Sequence, residues 1–223
     1  MFLAVAVGIS ASVVTTRQGV NFKVSTREIP LYIKVSDFFH RHYQYRMLAR
    51  EITQGLGSDP ERALAVFEWT RRNIRRTPEG WPVADDHVLN IIIRGYGLND
   101  QMADVFTTLS TYVGVPAFWR VQWFSTGQKS ILSFARVEGR WVVFDVENGL
   151  AFRNKQGALA SVQEIAADPC LVKLAAESVS CFAGFVPPRV PDVIRAEQQM
   201  PWPRLVYEVR QSIGVAPKEN ASP

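Results

Sequence analysis

Scarcity bounds this sequence first. It holds two cysteines and three histidines in 223 residues, and a chain of that length buries a sufficient core without covalent staples. His40 and His42 stand two apart on a helical pattern, so they point to different sides and form no metal pair; solvated or capping roles are expected. The apolar run Phe2 to Val14 is too short for the roughly 20 residues of a membrane span and lacks a basic leader. No repeat or low-complexity tract occurs. Lys and Arg exceed Asp and Glu, for a net charge of +4, but they are scattered. The densest run, Arg71, Arg72, Arg75 and Arg76, ends a predicted helix, where cations complement the helix dipole, so no nucleic-acid partner is expected.

The stretch Gly97 to Ala117 organises what remains. Met102, Val105, Phe106, Leu109, Tyr112 and Val113 recur at helical steps, and Gly114 with Pro116 marks the stop. Upstream, Leu31 to Val35 reads as a short strand, and a helix is expected over about Asp37 to Leu56. Ser58-Asp-Pro-Glu61 is a capped helix start whose helix, to Arg75, buries Ala63, Val66, Phe67, Thr70 and Ile74. Downstream, Ala117 to Phe124, Ser130 to Val137 and Arg140 to Val146 read as an antiparallel meander rich in aromatic and β-branched residues. Helices followed by such a meander argue for an α+β fold, N-terminal helices packed on an antiparallel sheet.

The last third is broken by Pro187, Pro188, Pro191, Pro201 and Pro203, as in a strap wrapping a domain. Before it, Ala151 to Asn154 reads as a strand, and Ser161 with Glu164 makes a capping box. If Pro169 to Cys181 is one helix, the two cysteines lie roughly 16 Å apart and stay free thiols; a bridge requires a turn between them. A last helix is expected over Trp202 to Ile213. The division expected is an apolar segment over 1–16, one domain over 17–213 and a disordered tail over 214–223. The first segment reads as a signal or anchor whose start lies upstream, as buried structure, or as a short anchor on a surface. The first reading favours a cell-envelope or secreted location, with membrane attachment through the N-terminus; a cytoplasmic location is the other case.

The capped helix at Ser58, the helix ending Leu109-Ser-Thr-Tyr-Val-Gly-Val-Pro-Ala117 and the hairpin Gly139-Arg-Trp-Val-Val-Phe-Asp145 resemble the transglutaminase-like superfamily, a papain-like fold, over residues 58–149. Members usually read Gly-x-Cys-x-Asp-x-Ala at the helix start. Aligned on Gly97 and Ala103, the resemblance puts Asn99 at the nucleophilic cysteine and Gln101 at the acidic position. Counting back from Gly139 puts Ser130 at the histidine, and the closing aspartate falls on Asp145. An amide is no nucleophile and a serine hydroxyl is no base near neutral pH, so a thiolate–imidazole pair cannot form here.

The resemblance therefore implies a pseudoenzyme, without cofactor, whose cleft at Asn99, Asp100, Gln101, Ser130 and Asp145 binds a peptide, protein or glycan. Each residue also has a structural reading: Asn99 and Asp100 as helix caps, Ser130 as sheet-face filler, and Asp145 as a cap for the turn at Glu147-Asn-Gly149. Trp119, Trp123, Phe124, Trp141 and Phe144 read as core before they read as a sugar platform. The alternative class is an active hydrolase or amide transferase with a relocated site. In it Asp85, Asp86 and His87 hold a metal with Asp100, Asp104 or Asp145. A third is a structural module with a filled cleft.

Overall fold

The computed structural model describes residues 12–20, 23–124, 127, 129–171 and 184–214. It starts with an antiparallel hairpin, β1 (Val13–Val20) and β2 (Lys23–Pro30), most of whose β2 side chains face solvent. The apolar tract read over 1–16 thus ends inside β1. Helix α1 (Leu31–Ile52) follows β2 directly. Leu31 to Val35, read as a strand, is its first turns: Tyr45 and Ala49 are buried and Leu48 and Ile52 pack on the core, and that anchoring overrides the local β-preference of Ile33 and Val35. His42, expected to be solvated, lies with Nδ1 3.0 Å from the Tyr112 hydroxyl.

Helix α2 (Asp59–Asn73) begins as its sequence dictates. The Glu61 N–H donates to Ser58 Oγ at 3.4 Å and the Ser58 N–H donates to Glu61 Oε2 at 3.1 Å. This capping box stabilises the helix by about 1 kcal/mol. The chain then runs through β3 (Arg75–Arg76), α3 (Val88–Arg94) and β4 (Tyr96–Gly97), with β3 and β4 paired in parallel. Gly95, at φ 72°, closes α3 in the left-handed conformation.

Helix α4 (Asn99–Tyr112) is the buried axis of the domain: every position from Gln101 to Thr111 is buried except Asp104. The meander β5 (Ala117–Trp123), β6 (Lys129–Val137), β7 (Arg140–Asp145) and β8 (Leu150–Ala151) forms one antiparallel sheet in that order. Strand alternation sends Ala135, Val142 and Phe144 into the cluster shared with α2 and α4. Leu132, Phe134 and Val143 go to a second cluster with Phe118, Phe152 and Ile165. The ring of Phe106 joins helix to sheet, 4.9 Å from Phe144 and 6.2 Å from Phe67.

Beyond the sheet, α5 (Val162–Ala167) carries the capping box expected at Ser161 and Glu164. Most of the helix expected over Pro169 to Cys181 lies outside the described residues. The chain turns at Pro169 and Cys170, and Cys170 is disulfide-bonded, not a free thiol. The other cysteine, Cys181, lies outside the described residues, as does the tail beyond 214. The proline-rich strap leads through a 3₁₀ turn, Arg195–Gln199, into α6 (Pro201–Ser212). The Tyr112 hydroxyl donates to Gln199 O at 2.8 Å, fastening the strap to the end of α4. Among the described residues no helix is long and apolar enough to cross a membrane.

Candidate functional site

The start of α4 is held by one side chain. Gln101 is buried, and its Oε1 accepts from Arg94 Nη2 at 2.7 Å and from the Leu98 N–H at 3.0 Å. Its Nε2 donates to Asp86 Oδ1 at 2.6 Å and to Ala84 O at 3.4 Å. The amide thus ties the loop before α3, the end of α3 and the first turn of α4 together. Gly97 is dictated by this packing: a Cβ there would sit 3.0 Å from Gln101 Cβ and 3.3 Å from Ile91 Cγ2. Gln101 is therefore committed to its own chain. Asn99 is the first residue of the helix, and its Oδ1 accepts from the Asp100 N–H at 2.9 Å. Asp100 keeps a buried Oδ1 without a hydrogen-bond partner, and burial pushes its carboxyl above the usual range.

The second part of the anticipated site lies on the sheet. Ser130 Oγ donates to Asp145 Oδ2 at 3.2 Å, the diagonal contact that the hairpin register predicts. Asp145 is buried and also accepts from the Asn148 N–H at 3.0 Å and from Asn148 Nδ2 at 2.8 Å, so it caps the turn after β7. Both residues share the strand face of Leu132 and Val143, not the face packed on α4. Two of the three family positions are brought together. No hydrogen bond among the described residues joins Asn99 to either.

Asp85, Asp86 and His87 diverge. Asp85 accepts from Gln18 Nε2 at 3.2 Å, Asn90 Nδ2 at 2.6 Å and the His87 N–H at 2.8 Å, which makes it a turn residue leading into α3 and a clasp for β1. Asp86 faces Gln101. Among the described residues no three His, Cys, Asp or Glu side chains converge as a metal site. Adjacent residues aim in different directions, which is why this cluster does not assemble.

A cavity of about 790 Å³ lies elsewhere than the three family positions. It opens between α1, α4, β5 and the strap. Asp86, His87, Asp104, Trp119 and Arg195 are among its polar lining, and Val35, Phe38 and Phe39 among its apolar lining. Trp119 Nε1 donates to Asp104 Oδ1 at 2.7 Å. Burial pushes the Asp104 carboxyl up, and the Arg195 charge opposes that rise. Asp104, Arg195 and the role of Trp119 here were not prominent in the sequence. The available signal was an acid at the fourth position after Asp100, set between the apolar Ala103 and Val105.

Burial lowers the His87 pKa from 6.5, followed by the Arg41 charge. The unfolded chain then takes up this proton at higher pH than the folded one. The neutral imidazole's contribution is therefore fully present above about 6.5 and is lost as pH falls below that and through the lower folded value. His87→Gln should flatten the loss of stability between about pH 7 and pH 5. Denaturant midpoints of both proteins across that range measure it, and parallel curves would contradict it.

Residues 46–146 match the sequence model of the core of the transglutaminase-like superfamily. No curated protein matches the chain. Among solved structures, a "putative cysteine protease" from Cytophaga hutchinsonii aligns at 14% identity and TM-score 0.42, covering 55% of this chain and 44% of that one. A "putative protease" from Parabacteroides distasonis aligns at 12% identity and TM-score 0.39, covering 61% and 36%. A structure described as a TGase aligns at 13% identity and TM-score 0.40, covering 87% and 57%. The matched regions thus span roughly a third to three fifths of those longer chains.

Proposed function

Because residues 46–146 carry a transglutaminase-like core, we propose that this domain is non-catalytic and binds a peptide or glycan of the cell envelope. The observation that carries this reading is the pair Asn99 and Ser130 at the positions where the resemblance puts cysteine and histidine. Both are occupied locally, Asn99 by its own first turn and Ser130 by Asp145. Cys170 cannot supply a thiolate from a disulfide. The ligand seat is the cavity between α1, α4, β5 and the strap, which Asp104 lines from α4. Its volume falls in the range of about 300–1,000 Å³ typical of small-molecule sites, with apolar walls and a few converging polar groups. An envelope location is supported by the disulfide at Cys170 and by the apolar run Phe2 to Val14.

One observation favours a second reading, a hydrolase with a relocated site: Asp86, His87 and Asp104 line the same cavity. Calorimetric titration of soluble peptidoglycan fragments and glutamine-containing peptides into the full chain tests binding. Saturable heat is expected, weakened by at least about tenfold, or about 1.4 kcal/mol, in Asp104→Leu. No binding to either ligand class, or equal binding by the variant, would overturn the cavity assignment.

A further inference from the structure

Helix α6 is inverted relative to a helix that merely closes a domain. Its Arg204, Tyr207 and Glu208 line the cavity. Its apolar residues Trp202, Leu205, Val209 and the capping Ile213 are 72, 54, 51 and 66% exposed. Steps of three and four residues put these four on one stripe, and no residue of the helix is buried. A helix of this length does not present such a stripe to water without a partner phase.

The surrounding charge says what that phase is. The hairpin β1–β2, helix α1 and helix α6 carry nine Lys and Arg against four Asp and Glu. That surplus exceeds the +4 of the whole chain, so the remainder is slightly acidic. Arg17, Lys23, Arg27, Arg46, Arg50 and Arg210 are exposed and form no ion pair among the described residues. A second exposed stripe, Tyr32, Val35, Phe39, Tyr43 and Met47, runs along α1, the helix that walls the cavity opposite α6. Aromatic and aliphatic residues on one face, with basic residues around them, match the physics of a helix lying at a lipid surface. We propose that α6 lies in the headgroup region of an anionic bilayer, with Trp202, Leu205, Val209 and Ile213 inserted and the basic hairpin and α1 supplying the electrostatic attraction.

Co-sedimentation of the full chain with vesicles tests this. Binding is expected with mixed phosphatidylcholine–phosphatidylglycerol vesicles, weaker with phosphatidylcholine alone, and falling as salt shortens the Debye length. The triple variant Leu205→Ser, Val209→Ser, Ile213→Ser removes only exposed side chains. Its circular dichroism should be unchanged, while its vesicle-bound fraction should fall at least about tenfold. Brominated lipid should quench the natural protein more than Trp202→Phe. Absence of vesicle binding overturns the proposal. Binding unchanged in the triple variant overturns it in favour of another anchor, such as the N-terminal segment. Self-association in lipid-free buffer that the triple variant abolishes overturns it in favour of a protein interface.

Discussion

Gln101→Leu should destabilise the domain by about 3–5 kcal/mol, because one buried amide satisfies four groups from three segments. Leucine has nearly the volume of glutamine, so the cost is polar and not a cavity. The substitution leaves Arg94 Nη2, the Leu98 N–H and Asp86 Oδ1 without the partners they have at 2.7, 3.0 and 2.6 Å. Each orphaned group costs about 1–3 kcal/mol when buried, and part of that is recovered where water reaches Arg94 or Asp86. A drop in melting temperature of roughly 8–15 °C corresponds to this loss for a domain of this size. Gln101→Glu is the informative companion. It keeps the acceptor for Arg94 and Leu98 but sets a carboxylate against Asp86, so its deficit should shrink as acid protonates one of the pair. A loss below about 1 kcal/mol for leucine would show that the network adds nothing net.

Asn99→Cys should give a thiol that alkylates at pH 7 several times faster than an ordinary exposed cysteine. Position 99 is the first residue of a 14-residue helix, where unpaired N–H groups and the dipole favour a negative charge. Lowering a thiol pKa by about one unit from 8.5 raises its thiolate fraction at pH 7 roughly eightfold. Asp100 next to it works in the opposite direction, so Asn99→Cys with Asp100→Asn should react faster still. Iodoacetamide rates against pH give the thiol pKa directly. A value at or above that of a free cysteine would mean that the helix start does not favour charge there.

Much of the architecture was legible because it is written in local chemistry. The box at Ser58 and Glu61, the apolar periodicity of α4, the stop at Gly114 and the two-residue turn at Glu138-Gly139 each act within a few residues. The register of that turn also gave the contact between Ser130 and Asp145. What could not be read was non-local. Leu31 to Val35 carries strand-like residues, and only the anchoring of Tyr45 and Ala49 further along α1 makes it helix. The hub at Gln101 depends on Asp86 and Arg94 arriving from other segments, which no spacing encodes. Cys170, which is disulfide-bonded, reads as a free thiol in the sequence, because two cysteines and their spacing alone do not say whether they meet. The cavity at Asp104 needs the strap to fold back across α1, and proline content announces a strap without saying where it goes.

Amide turnover measured side by side on the natural chain and on Asn99→Cys with Ser130→His tests the central claim most directly, using a glutamine-containing peptide with and without an added amine. The account predicts no ammonia release above the protein-free rate from the natural chain, with thiol-dependent release confined to the double variant. Release by the natural chain that disappears in His87→Ala would contradict it and place an active site in the cavity.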